Sequence, residues 1–264
     1  MLLNENGTSF GVMNVKKMTR VERKKRRKKI LFRIFLLIIL VIIATIFAFN
    51  SKYFNIDYII VEGNDKLDYD YIVNTSLIDE GENIFRVKTS DAEKLLNKLS
   101  YIKNVSVKRK LPNTIYISVD ERNLAYQFRI LSTYVLLDEE GYLLELSNEQ
   151  IDDIPMFVGF ELTDIKVGES IFSNDKNTIL YDFFLNDEVY NTIMKMSLIT
   201  YNENDNNINI ELNNGIGVAF GPLDNVKYKI RLLDKILLDI EKKQIKCKMI
   251  IMNKGDNPIL VTDD

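Results

Sequence analysis

Few side chains in this 264-residue chain could do covalent or acid-base chemistry. It contains no His and a single Cys, Cys247. That removes Ser-His-Asp and Cys-His nucleophilic systems, His-ligated metals, His proton shuttles and any disulfide within the chain. Cys247 has no imidazole to activate it, and apolar packing is its default use. Carboxylates are plentiful, with 38 Asp plus Glu. The runs Asp138-Glu139-Glu140 and Asp152-Asp153 nevertheless lack the spacing of a cation loop and read as solvated turns. The glycines of Gly215-Ile216-Gly217-Val218-Ala219-Phe220-Gly221 are not followed by Gly-Lys-Ser/Thr, so they read as a hairpin and a strand end rather than a phosphate cradle. No catalytic set, metal site or cofactor site is legible, and an enzyme is disfavoured.

The charges are segregated along the chain. Residues 1–49 hold 11 basic side chains and two acids, Glu5 and Glu22, which leaves 24 basic and 36 acidic residues in 50–264. Residues 30–49, ILFRIFLLIILVIIATIFAF, carry one charge, Arg33. As a helix this stretch is about 30 Å long, the thickness of a bilayer's hydrocarbon core, and Arg33 is near enough to the boundary to snorkel. A buried core helix would show a polar stripe. A cleaved signal would have a shorter apolar region ending in a small-x-small site, whereas this one closes on Ala48-Phe49-Asn50. We therefore expect a transmembrane helix over 30–49, preceded by a basic cytoplasmic tail over 1–29. The topology signal is Lys24, Lys25, Arg26, Arg27, Lys28 and Lys29, a cluster that stays on the cytoplasmic side. A basic run also fits nucleic-acid phosphates, but its position flush against the apolar run makes topology the more economical cause.

Beyond the span, short elements replace the long run. Ile56, Tyr58 and Ile60 alternate up to the Gly63-Asn64 break, as in a strand. Asp68 can cap a short helix through Ile72 and Val73, and Ser90 or Thr89 a second in which Ala92, Leu95, Leu96 and Leu99 share one face. Ile102, Val105 and Val107 begin a strand that ends in Lys108-Arg109-Lys110. Leu111-Pro112-Asn113 makes the turn, and Ile115, Ile117 and Val119 alternate in the partner strand. The order strand, helix, helix, strand, strand gives a small module of about 70 residues.

The ordered set Phe54-Asn55-Ile56, Val61-Glu62-Gly63-Asn64, Gly81-Glu82-Asn83-Ile84-Phe85, Ile102-Lys103-Asn104-Val105, Arg109 to Ile115 and Asp120-Glu121-Arg122 resembles the POTRA domain of the FtsQ/DivIB cell-division family. The resemblance is strengthened by its place directly after a single anchor. It implies an α+β protein: a single transmembrane helix, a β-α-α-β-β POTRA domain over 52–122 and a mainly antiparallel β domain with a long helix over 123–264.

Within 123–264, Tyr126 and Phe128, then Tyr134 to Leu137, then Tyr142 to Leu146 around the Asp138 to Gly141 turn read as strands. Pro155 to Gly159 and Lys166-Val167-Gly168 resemble the family's following loop and strand, and element boundaries between 160 and 200 stay open. Ile208 and Ile210 lead into an Asn213-Asn214-Gly215 hairpin. After Gly221-Pro222 comes a long helix with Val226, Ile230, Leu233, Leu237 and Ile240 on one ridge and Lys227, Lys229, Arg231 and Lys235 mostly outside it. Met249 to Met252 and Ile259 to Val261 read as two closing strands.

What remains suits binding. A strand edge formed by Lys248, Met249, Ile250 and Ile251, or by Ile259, Leu260 and Val261, can accept an extended partner. The resemblance implies a non-catalytic divisome scaffold at the septum, membrane-anchored with its folded part outside, contacting the bitopic partners FtsL and DivIC (FtsB) and helping regulate septal peptidoglycan synthesis. No nucleic acid, small-molecule substrate or cofactor is expected. The alternative is a POTRA-containing component of protein translocation or membrane assembly. Its usual barrel would need more membrane-length strands than 123–264 offer. A membrane-tethered cell-wall hydrolase is a third reading.

Overall fold

A computed structural model describes residues 20–184, 187–254 and 257–262. Helix α1 (Arg20–Asn50) is longer than the apolar run alone, because nothing in the basic segment breaks it. Lys24, Lys25, Arg26, Arg27, Lys28 and Lys29 are all helical and exposed, so the span and much of the basic segment form one rod of about 46 Å. The rest of the tail, with Lys16 and Lys17, lies outside the described residues. Residues 23–50 are long and apolar enough to cross a membrane, and none of that apolar stretch is buried in the fold.

The rod ends in a 3-10 turn (Lys52–Phe54) started by Ser51, whose hydroxyl accepts the Tyr53 N–H at 3.2 Å. There follow β1 (Tyr58–Glu62), α2 (Tyr69–Ser76), α3 (Thr89–Leu96), β2 (Ile102–Lys110) and β3 (Thr114–Glu121). The sheet order is β1-β3-β2, with β1 parallel and β2 antiparallel to the central strand. Both helices cover one face, where Ile56, Ile72, Ala92, Leu96, Ile115 and Ile117 form a core. Among the described residues no element covers the other face, where Tyr58, Ile60 and Ser118 are exposed.

Three local expectations change. Within β1 it is Ile59 that is buried, while Tyr58 and Ile60 lie on the open face, because the strand starts at Tyr58 and sets the alternation from there. Lys88, not Ser90 or Thr89, is the cap residue of α3, and Asp68 caps α2 without a side-chain hydrogen bond. Helix α3 stops at Leu96; Leu99 reaches the core from the following turn, and Leu95 is only half-buried. Gly63 closes β1 at φ +86°, where an added Cβ would lie 2.0 Å from the Val119 carbonyl oxygen, so only glycine fits.

The second sheet has nine strands. They are β4 (Leu124–Ile130), β5 (Thr133–Asp138), β6 (Leu143–Ser147), β7 (Met156–Val158), β8 (Met196–Asn202), β9 (Asn207–Leu212), β10 (Gly217–Gly221), β11 (Cys247–Ile251) and β12 (Ile259–Thr262). Their order is β12-β11-β10-β9-β8-β7-β4-β5-β6. Pairing is antiparallel except at β10/β11, β7/β8 and β4/β7. Helices α4 (Asp187–Ile193) and α5 (Val226–Lys243) accompany this sheet, and α5 buries four of the five ridge residues, Val226, Ile230, Leu233 and Ile240, with Leu237 half-buried against the core. Lys229 departs from expectation. Its ammonium folds back to the Pro222 carbonyl at 2.8 Å, pairs with Asp224 and lies 5.5 Å over the Phe220 ring.

The stretch whose boundaries stayed open contains 3-10 segments (Ile171–Ser173 and Asp175–Phe183), α4 and β8. Its aromatics belong to the core: Phe183 meets Phe157 edge-on at 5.6 Å, and Phe184 meets Tyr126 edge-on at 4.6 Å.

Where the two sheets meet, the acidic turn proves not to be a solvated one. Arg122 reaches Asp138 at 2.6 Å and Glu140 at 3.0 Å, with side-chain exposures of 9% for Arg122 and 3% for Asp138. Its guanidinium lies 3.5 Å over the Tyr142 ring. The second oxygen of Asp138 accepts the N–H groups of Glu140 and Tyr142. Lys103 closes on Glu140 at 3.0 Å, and the Tyr101 hydroxyl donates to Glu145 at 2.8 Å. The hydrogen bond from Lys103, then that from Arg122, holds the Glu140 carboxyl below its ordinary range.

Candidate partner-docking edge

The two closing segments become neighbouring strands because α5 ends in a left-handed Gln244 (φ 53°). Gln244 N–H returns to the Glu241 carbonyl at 3.1 Å and Ile245 N–H to that of Ile240 at 3.0 Å. The chain therefore reverses and lays β11 parallel to β10, with Gly217, Val218 and Ala219 opposite Met249, Ile250 and Ile251. On its other side β11 takes β12 antiparallel, Met249 opposite Val261, Ile250 opposite Leu260 and Ile251 opposite Ile259.

This corrects half of the edge expected from sequence. Met249, Ile250 and Ile251 are paired on both sides and offer no free backbone row, and Lys248 stands at a register shift between Cys247 and Met249. The free edge belongs to Ile259, Leu260 and Val261. The turn joining β11 to β12 includes Gly255 and Asp256, which lie outside the described residues.

The two faces of this terminal pair differ. Ile250 is fully buried, and Leu260 packs on the main core beside it. The opposite face presents Met249 (38% exposed), Val261 (40%) and Ile259 (48%) together with half-buried Ile251. Two adjacent strands thus carry an apolar outer surface that no element among the described residues covers. Lys248 is exposed, and Cys247 is half-buried at the start of β11 with its thiol 3.4 Å from the Met249 carbonyl. Beside Cys247 a groove of about 710 Å³ opens between the end of α5 and the β9–β10 hairpin, floored by Leu212, Ile216 and Leu237.

Edge chemistry separates β12 from the other three edge strands. β1 contains Glu62, β2 contains Lys103, Lys108, Arg109 and Lys110, and β6 contains Glu145. Charges on an edge discourage addition of another strand. β12, Ile259-Leu260-Val261-Thr262, has none. Among the described residues no group of three or more Cys, Asp and Glu could hold a metal ion.

Sequence reasoning missed the Arg122, Asp138, Glu140 and Lys103 cluster, since nothing in one sequence shows that two turns 16 residues apart meet. It also missed Asn83, whose buried side chain donates to the Ala48 carbonyl at 2.9 Å and the Ser51 carbonyl at 3.4 Å at the end of α1.

Residues 54–122 match the family described as POTRA domain, FtsQ-type. The chain is similar to the cell division protein DivIB of Clostridium botulinum (strain Loch Maree / Type A3), 28% identical over 214 residues that cover 78% of this chain and 81% of the relative. It is similar also to the cell division protein FtsQ of Rickettsia felis, 31% identical over 123 residues, 47% of this chain and 46% of the relative. The solved major extracytoplasmic domain of the trans isomer of DivIB from Geobacillus stearothermophilus aligns with 47% of this chain and 97% of its own, at 18% identity and a TM-score of 0.30.

Proposed function

We propose, from its similarity to the DivIB and FtsQ cell-division proteins and from the match of residues 54–122 to the FtsQ-type POTRA domain, that this chain is a non-catalytic scaffold of the division machinery. In this reading residues 1–29 are cytoplasmic, 30–49 span the membrane, and the POTRA domain (52–122) and β domain (123–264) stand outside it at the septum. Lys24 to Lys29 set that orientation through the inner-leaflet charge. The partners are the bitopic proteins FtsL and DivIC (FtsB), and holding them regulates septal peptidoglycan synthesis.

The observation that supports docking most directly is the uncharged free edge of β12 with the apolar face of Met249, Ile251, Ile259 and Val261 beside it. A partner segment adding as a strand gains main-chain hydrogen bonds from the edge and side-chain burial from the face. Because both proteins are confined to one membrane, a modest contact in solution becomes an efficient one at the surface.

The test is a binding titration of the full-length chain with the FtsL–DivIC pair. Ile259→Asp combined with Val261→Asp should weaken binding at least about thirtyfold, the size of an interface hot spot. Unchanged affinity in a variant that keeps its hydrogen-exchange protection in β8–β10 would overturn docking at this edge.

A further inference from the structure

The anchor-proximal end of the POTRA domain gathers cations from three separate segments. Asn83 holds the end of α1 through its bonds to Ala48 and Ser51, and the Arg86 guanidinium donates to the Asn50 side chain at 3.1 Å. Segment 83–86 therefore lies level with the last turn of the rod. Arg109 joins the β2–β3 turn to that segment, donating to the Ile84 carbonyl at 2.8 Å and the Val87 carbonyl at 2.5 Å. Asn113, in the same turn, accepts the Asp57 N–H at 2.9 Å. The turn between β2 and β3 is thereby fixed at the end of the domain from which the rod leaves.

Lys52, Arg86, Lys88, Lys108 and Lys110 surround this end. Lys52, Arg86, Lys88, Lys108 and Lys110 are exposed, and none forms an ion pair among the described residues. With Arg109 they make six of the 24 cations in residues 50–264, whereas Asp57, Asp79, Glu80 and Glu82 at the same end are four of the 36 acids. The Asp57 carboxylate is already engaged by the Asn113 amide at 2.6 Å. This end is net basic in an otherwise acidic region. It also exposes two large apolar side chains, Tyr53 at 68% and Leu111 at 57%.

We propose that this end of the POTRA domain is a lipid-binding surface: Lys52, Arg86, Lys88, Lys108 and Lys110 contact the phosphates of anionic phospholipids while Tyr53 and Leu111 enter the interfacial layer. The inference rests on α1 being a membrane span. Given that, the last turn of α1 lies in the headgroup layer, and lysines fastened beside it are within reach of lipid phosphates and within a Debye length of their charge. Tyrosine suits the same layer, with an apolar ring and a polar tip. A protein partner would have to displace lipid to occupy this surface. The two contacts, rod and headgroups, fix the tilt of the domain over the membrane.

The chain has no Trp, so Leu111→Trp supplies a single reporter in the full-length protein held in nanodiscs. In discs containing phosphatidylglycerol, Trp emission should be blue-shifted and quenched by brominated acyl chains. Both effects should fade in high salt and in discs of phosphatidylcholine alone. Lys108→Glu with Lys110→Glu should lower the docked-to-undocked ratio by about fivefold or more per lysine, with the chain still held in the disc by α1. Tyr53→Trp gives an independent reporter should position 111 not tolerate the ring, and the salt response tests the proposal without the double variant. Emission that is unquenched in both lipids, or equally quenched in both, overturns it. A chain that fails to co-elute with the discs overturns instead the reading of α1 as a span.

Discussion

Arg122 and Asp138 are 16 residues apart in sequence, yet their side chains meet at 2.6 Å where the two sheets join. Around them Glu140 is the group that makes the junction sensitive to pH. Its carboxyl is held below its ordinary value of 4.5 by the hydrogen bond from Lys103 first and that from Arg122 second. A carboxyl whose folded pKa is depressed contributes stability that is fully present above the unfolded value and is lost as pH falls through the folded one. Glu140→Gln should therefore lower stability at neutral pH, and its deficit relative to the parent should shrink below pH 4.5 and vanish in stronger acid. Denaturation midpoints of both proteins across that range check the sign. A deficit that is constant with pH would mean that shape, not charge, explains the effect. The side chain is 34% exposed, so solvent screening keeps this contribution small.

The elements themselves were largely legible. The four- and three-residue steps of Val226, Ile230, Leu233, Leu237 and Ile240 gave α5 its buried ridge, and the Leu111-Pro112-Asn113 and Asn213-Asn214-Gly215 turns separated the strands that pair across them. β8 was hidden because it follows α4 after only Met194 and Lys195, with no glycine or proline to mark the change, while the adjoining 3-10 segment (Asp175–Phe183) imitates helical spacing. Strand order was harder still, and it decided the candidate site. A strand, an 18-residue helix and a strand, here β10, α5 and β11, favour a parallel crossover. That crossover seats β11 beside β10 and leaves the edge to β12, a step that reading β11 as a free strand omitted. The contact between α1 and the POTRA domain was illegible for a different reason: Asn83 is a loop residue whose partners are carbonyls 32 and 35 positions earlier. Asn83→Ala removes those bonds together with its acceptance of the Phe85 N–H at 3.1 Å. Local protection should fall by about 1–2 kcal/mol, the scale of losing buried hydrogen bonds. Hydrogen exchange should quicken at residues 50–55 and 84–86 and stay unchanged in β2 and β3. If the β2–β3 ladder also loosens, Asn83 supports the domain's core and not its attachment to the rod.

At the scale of the molecule, the two cores share no buried residue, and the chain passes between them within two residues, from Glu121 at the end of β3 to Leu124 at the start of β4. A connection that short still permits rotation unless side chains oppose it. Arg122 opposes it by tying the connection to the β5–β6 turn, while Lys103–Glu140 and Tyr101–Glu145 add ties from β2 and the residue before it. Arg122→Ala alone would leave Asp138 buried without its counter-charge, at a cost on the order of 3 kcal/mol. The informative variant is therefore Arg122→Met with Asp138→Asn, which removes the tie while leaving no isolated charge. Both cores should then keep their unfolding transitions, and distances measured between spin labels on β2 and β10 should broaden. The consequence for binding depends on the surroundings. Without a membrane, the β12 edge is unaltered and partner affinity should stay the same. With both proteins anchored in one bilayer, a swinging edge spends less time at the height of the partner segment, so effective concentration and apparent affinity should fall together. Equal affinities for parent and variant in the membrane would show that the angle between the two units has no part in docking; a loss in solution as well would show that the junction shapes the edge directly.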